Sequence, residues 1–224
     1  MSRAAFVNMN RNATRHRIVE AADGLFYQKG YDATSFSDIS DAVKISRGNV
    51  TFHFKSKHEI LEAVIDLRLE RTERMLEQWE ADGENCEDRV KSFVNILIMN
   101  RAKILLHGCP VGTLCTELAK LGHPEAGHAN KLFGLFRDWL RCQFSLLGWE
   151  SEADALAMHL LAWSQGIATL AQAFHDEQFL REEVQKLHSW LESHAATAGR
   201  NEKPKSANRT AKPKPARYRA GTLR

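Results

Sequence analysis

Apolar positions recur at helical spacing along most of the chain, and no stretch shows the strict alternation of a half-buried strand. Ile18, Ala21, Ala22, Leu25 and Phe26 share one face of a helix expected from about Thr14, a capping hydroxyl, to Lys29, where Gly30 ends it. Tyr31 leads to Thr34, a second expected cap, ahead of Ile39 and Ala42. Val43 and Ile45 bracket a tight turn, Ser46 caps a third short helix, and Val50 and Phe54 face back toward the first. Arg47, Gly48, Asn49, Thr51 and His53 are left pointing outward. So short a helix is marginal alone and must be held by packing on the first helix and on the one that starts after Ser56. This is a helix-turn-helix layout, and it makes double-stranded DNA the leading partner.

Beyond it, a densely charged helix from Ser56 to about Glu80 carries Leu61, Val64, Ile65, Leu69, Leu76 and Trp79 inward. Touching both halves of the chain, it is the expected lever between them. Asp82, Gly83 and Glu84 break the pattern, and Val90, Phe93, Val94, Leu97 and Ile98 then mark a fifth helix ending near His107 and Gly108. In the segment CPVGTLCTELAKL, Pro110 suits the first helical position and places Cys109 at the cap, where the positive helix end favours a thiolate. Leu132, Phe133, Phe136, Trp139, Leu140 and Phe144 form a broad apolar face expected to wall a cavity. The candidate ligand-binding set is Phe93, Leu97, Cys109, Leu114, Leu118, Phe133, Phe136, Trp139 and Trp163. Two further helices, from about Glu152 to His175 and from Glu177 to about Ala195, include Gly166 and several alanines that allow close contact. Two such pairs would make a four-helix interface in a homodimer, with burial inside one monomer as the alternative.

Composition agrees with an all-α chain: 224 residues, 43% hydrophobic, with five Trp and eleven Phe, suffice for a packed core. There is no eighteen-residue apolar run and no secretory-type N-terminus, so no membrane association is expected and the localisation expected is cytoplasmic. Cys86, Cys109, Cys115 and Cys142 are irregularly spaced, which favours reduced thiols. The net charge of +3 is uneven: from Ala196 onward nine Lys or Arg stand against Glu202 alone. The organisation expected is a flexible arm over 1–13, a DNA-binding unit over 14–57, a ligand-binding and dimerisation unit over 58–195, and a basic disordered tail over 196–224. Such a tail either adds counterion-release affinity for DNA or only solubilises.

The run through Gly30, Tyr31, Thr34, Ser35, Asp38, Ile39, Ala42, Ser46, Gly48, Val50, His53, Phe54, Lys57 and Leu61 resembles the tetracycline-repressor (TetR) family of transcriptional regulators. The resemblance implies a homodimer whose recognition helices enter successive major grooves of a near-palindromic operator. It also implies a C-terminal domain that binds a small effector and then releases DNA. The DNA-contact residues it suggests are Thr34, Ser35, Ser46, Arg47, Gly48, Asn49, Thr51, Phe52, His53, Lys55, Ser56 and Lys57. Among them Arg47, Asn49, Thr51 and His53 are base readers or groove contacts, and the helix starts at Thr34–Ser35 and Ser56–Lys57 face phosphates. For His53 a packed or phosphate-facing ring, and for Lys55 a solvated charge, is the alternative.

Four positions depart from the family pattern. Lys44 stands where glycine or asparagine commonly makes the turn, Thr51 and Phe52 replace one or two tyrosines, and Lys55 replaces a frequent proline. The segment HGCPVGTLCTEL is also similar to one in a subgroup of the family, some members of which sense electrophiles or oxidants through the cysteine while others bind uncharged ligands. Cys109 is therefore either a redox-sensing thiol or a packed, pocket-lining one. No paired carboxylates, glycine-rich phosphate loop or nucleophile elbow is present, so no enzymatic activity and no cofactor are expected. His123 and His128 with Cys109 or Cys115 and Glu117 do not form a recognised zinc spacing, and no metal is expected there. Two other classes stay open: a helical enzyme or binding module that inherited the N-terminal fold, and a nonspecific DNA binder driven by the tail.

Overall fold

A computed structural model describes residues 3–201, with side chains described over 11–194. The described residues form ten helices and no strand. The first four are α1 (Arg3–Lys29), α2 (Phe36–Val43), α3 (Arg47–His53) and α4 (Lys57–Asp82). Then follow α5 (Cys86–Met99), α6 (Arg101–His107), α7 (Pro110–Lys120), α8 (Ala126–Leu146), α9 (Ala153–Phe174) and α10 (Glu177–Asn201).

The short N-terminal helices are held by their caps and by one shared core. Ser35, not Thr34, caps α2: its Oγ accepts from the Asp38 N–H at 3.1 Å while the Asp38 carboxylate accepts from the Ser35 N–H at 2.8 Å. Thr34 is buried instead, its hydroxyl donating to the Gly30 carbonyl at 2.7 Å. Ser46 caps α3 by accepting from the Asn49 N–H, and Ser56 caps α4 by accepting from the Glu59 N–H. Between α2 and α3 the turn is made by Lys44 in the left-handed conformation, φ 58° and ψ 46°, with the Ile45 N–H donating to the Ser40 carbonyl. A side chain held there costs roughly 1–2 kcal/mol relative to glycine. Ala42 is exposed, while Ile39, Ser40 and Val43 of α2 are buried and Phe36 packs against the same core.

That core gathers Ile18, Ala22, Phe26, Ile39, Val50, Phe54, Ile60, Leu61 and Val64, and it is closed by Leu114, Cys115, Leu118 and Ala129 from α7 and α8. A fully buried leucine contributes roughly 2 kcal/mol, so α7 is a firm part of the DNA-binding unit's support. A second core joins the C-terminal part of α4 to α5, α6, α8, α9 and α10, with Phe93 edge-on to Phe136 at 5.5 Å and Trp79 tilted against Trp139 at 5.6 Å. Val111 and Phe133 touch both cores.

Three boundaries differ from those expected. The sequence before Thr14 contains no Gly or Pro to stop a helix, and from Arg3 the expected arm belongs to α1, so Thr14 lies within a helix rather than capping it. The single helix expected from Val90 to His107 is two, parted at Asn100, whose side-chain amide and backbone N–H both donate to the Ile96 carbonyl. Asn competes for backbone partners in this way and so interrupts helices. At the far end α10 runs past Ala195 to Asn201, so the basic tail begins later than 196; the rest of it lies outside the described residues.

Candidate DNA-binding face and effector cavity

Helix α3 presents Arg47, Gly48, Asn49, Thr51 and Phe52 to solvent and contains no acidic residue. Val50 and the following Phe54 anchor it, and Phe54 lies under the Arg15 guanidinium at 4.5 Å. Phe52 is 57% exposed, covered in part by Arg11 at 5.2 Å. Arg11, Arg15, Lys44, Arg47 and Lys55 give this end of the molecule a positive field suited to a phosphate backbone. The Thr51 hydroxyl donates to the Gly48 carbonyl at 3.0 Å, which leaves its methyl and an oxygen lone pair facing out. Lys55 is exposed and donates to the Thr51 carbonyl at the end of α3.

Beyond the buried Thr34 and the capping Ser46 and Ser56, three more residues of the expected set have internal duties. Lys57 points its ammonium at the carbonyls of Tyr31, Asp32 and Thr34, at 3.0, 3.2 and 3.1 Å, and over the Tyr31 ring at 4.3 Å. It neutralises exposed carbonyls after α1, so its first role is to fix that turn. The Ser35 hydroxyl is held in its capping box, where Ser35 and then Lys29 keep the Asp38 carboxyl well below the usual carboxylate range. His53 is a half-buried ring against Phe52, and burial, then Arg11 and Arg15, push its pKa down. Its Nδ1 is buried without a hydrogen-bond partner.

The turn that Lys57 holds is also gripped from the C-terminal half. Glu117 on α7 accepts the Tyr31 and Asp32 N–H groups, each at 2.9 Å. A Cβ on Gly30, whose φ is +91°, would lie 2.9 Å from that carboxylate, so the close approach and the backbone angle both call for glycine there. A second latch lies deeper: Arg68 of α4 donates to Asp23 of α1 and to the Pro110 carbonyl at the start of α7, both at 2.6 Å. α7 is thus tied to the DNA-binding unit by charged bonds as well as by its leucines. If Glu117 is a working latch, Glu117→Gln, which replaces one acceptor oxygen by a donor, should speed exchange of the Tyr31 and Asp32 amides by on the order of tenfold. Proton–deuterium exchange followed by NMR reads this directly, and unchanged protection would remove Glu117 from the coupling.

The expected single cavity wall is divided between two places. Phe93, Leu97 and Trp139 are buried in the second core, whereas Leu114 and Leu118 are buried in the first. Trp163 packs on Trp190 and donates to Glu183 at 3.0 Å. Helical spacing says that a face is inward without saying which core it meets. Of the set, Phe136 lines a cavity of about 390 Å³ among α1, α4, α5, α6, α7 and α8, together with Tyr27, Arg68, Thr72, Met75, Ile96, His107 and Leu132. Tyr27 donates to the Gly108 carbonyl at 2.8 Å, and burial, aided by Cys109, raises its pKa to about 12. The hydroxyl therefore stays neutral. Cys109 and Phe133 line a separate, more open cleft of about 750 Å³ between α7 and α9. Cys109 caps α7 as expected, its Sγ accepting from the Gly112 N–H at 3.5 Å and from Gln165 Nε2 at 3.4 Å.

Missed from sequence were Asp23, Tyr27, Arg68 and Glu117. Tyr27 and Arg68 sat within patterns read only for their leucines and valines, although an arginine on the inward stripe of α4 was a visible signal.

Residues 18–64 match the family model described as bacterial regulatory proteins, tetR family. An uncharacterised HTH-type transcriptional regulator in the lacX 3' region of Lactococcus lactis is 31% identical over 55% of this chain and 64% of its own length. The HTH-type transcriptional regulator TtgR of Pseudomonas putida is 32% identical over 32% of this chain and 34% of its own. The chain thus spans less than two thirds of either relative. Among solved structures, a TetR transcriptional regulator from Legionella pneumophila aligns with a TM-score of 0.68 at 24% identity, covering 79% of this chain and 94% of that one. A TetR-family regulator from Agrobacterium tumefaciens aligns at 0.71 and 18% identity, covering 80% and 98%. Residues 18–64 are thus similar to the tetR family of bacterial regulatory proteins, and the chain shares the overall fold of these solved regulators.

Proposed function

We propose that this chain is a dimeric transcriptional regulator, acting by binding rather than catalysis, which occupies a near-palindromic operator through α3 and is released by a small effector. The exposed, acid-free outer face of α3, backed by five basic side chains, carries the DNA part of this reading. Arg47, Asn49 and Thr51 read base edges, while Ser46, Lys55 and the start of α4 meet phosphates. Dimerisation is supported by α9, whose exposed positions Met158, Ala162, Gly166, Thr169, Leu170, Ala173 and Phe174 are uncharged, with Asp154 confined to its first turn. Phe174 is 75% exposed, an arrangement expected of a face covered by a second copy.

The effector fits the 390 Å³ cavity, which lies in the range of small-molecule sites and is bounded by both latch residue Arg68 and the start of α7. A molecule seated against Arg68 and Pro110 favours one position of α4 and α7 relative to α1, and so shifts the fraction of dimers whose α3 helices span the operator. Sedimentation combined with fluorescence anisotropy on its own upstream DNA tests the proposal: a dimer that prefers one near-palindrome is expected.

A second reading, thiol sensing, is supported by the two N–H donors aimed at Cys109 Sγ and by the cleft beside it. Cys109→Ser should then leave operator affinity unchanged while abolishing release by an electrophile such as N-ethylmaleimide. Equal release from the serine variant would show that Cys109 is a packed thiol only.

A further inference from the structure

His58, Glu62 and Glu125 each bring one donor atom within 4.8 Å of the other two. His58 and Glu62 are one turn apart at the start of α4, and Glu125 comes from the turn between α7 and α8. Nε2 of His58 stands 3.8 Å from a carboxylate oxygen of each glutamate. That separation is too long for a hydrogen bond. Donors about 2.1 Å from one tetrahedral ion lie roughly 3.4 Å apart, so His58 would close on each glutamate by a few tenths of an ångström, while the two glutamates start within 4.8 Å of each other.

The surroundings orient this set. The other Glu125 oxygen is bonded by Nδ1 of His128 at 2.9 Å, and Nε2 of His128 faces Asp66 at 3.2 Å. A carboxylate steered by a histidine that is itself steered by a carboxylate is the kind of outer shell that tunes metal ligands. His123 is occupied elsewhere, with Nδ1 accepting the Glu125 N–H at 3.2 Å and Nε2 facing the Tyr31 hydroxyl at 3.2 Å. Its ring lies 5.4 Å from that of His58 and backs the imidazole. Glu125 is largely shielded, while the His58 and Glu62 side chains are 41% and 45% exposed, leaving room for a water as the fourth ligand.

We propose that His58, Glu62 and Glu125 bind a divalent transition-metal ion of the zinc type, which bridges α4 to the α7–α8 turn. One imidazole and two carboxylates neutralise a 2+ ion and match zinc-type donors, and the outer position accounts for the three-residue set being solvent-reachable. The site does not depend on DNA binding and is tested without it. The untagged, reduced, chelator-treated full chain is titrated with Zn²⁺ by calorimetry and with Co²⁺ by visible absorption. One ion per chain is expected, with a cobalt spectrum free of thiolate charge transfer. His58→Asn, on α4, and Glu125→Gln, on the turn, should each weaken binding at least tenfold, with circular dichroism confirming that both variants fold. No binding, a thiolate band from the cysteines, or a loss confined to one side of the proposed bridge would overturn it.

Discussion

The double variant Arg47→Ala, Asn49→Ala should lose specific operator binding by on the order of a hundredfold or more and still unfold at the parent temperature. Each good side-chain contact to a base edge is worth about 1–3 kcal/mol, and two such losses compound. Both side chains are exposed on α3 and belong to neither core. The bond from the Asn49 backbone N–H to Ser46 Oγ survives the change, so the cap remains. Binding to unrelated DNA should fall far less, because it rests on the positive field around α3, and anisotropy titrations at one fixed salt concentration separate the two. An equal loss on every sequence would place Arg47 and Asn49 on the phosphate backbone instead of the bases.

Arg68→Ala should destabilise the chain by about 3–5 kcal/mol, the usual consequence of removing one partner from a buried charged network. For a domain of this size that lowers the melting temperature by on the order of 10 °C. The guanidinium is buried and serves Asp23 and the Pro110 carbonyl together, so its removal leaves the carbonyl without its donor and Asp23 with only the more distant Arg71 guanidinium at 3.5 Å. Arg68→Lys should recover only part of the loss, since an ammonium lacks the planar fork that reaches both partners. Arg68→Ala combined with Asp23→Ala should cost less than the sum of the two, because both changes remove the same ion pair. A thermal melt showing a loss below about 1 kcal/mol for Arg68→Ala would mean that α7 is held by its leucines alone.

The DNA-binding unit could be read from sequence to a degree that the effector domain could not. Its caps and core are local: Ser46, Ser56, Val50 and Phe54 act within a few residues of where their pattern occurs. Lys44 stands where the family resemblance places a glycine or asparagine turn, and the structure has φ 58° there. What the sequence does not show arises where distance in sequence is long. Thr34 and Lys57 are expected at phosphates, and the fold gives their side chains partners that the local pattern does not show, the Gly30 carbonyl for Thr34 and the carbonyls of Tyr31, Asp32 and Thr34 for Lys57. Leu114 and Leu118 lie on the inward face of α7, yet periodicity does not tell that this face looks toward Ile18 and Phe26 rather than toward Phe136. The position of Cys109 at a helix start was fixed by Pro110 alone, whereas its neighbour Gln165 arrives from α9.

The most direct test is selection of genomic DNA by the full-length chain at moderate salt, followed by anisotropy on the recovered sequence with parent protein and with the Arg47→Ala, Asn49→Ala variant. One near-palindromic sequence bound by a dimer, and lost with the variant, is the expected result. Recovery of no preferred sequence, or equal retention of it by the variant, would contradict a regulator that reads DNA through α3.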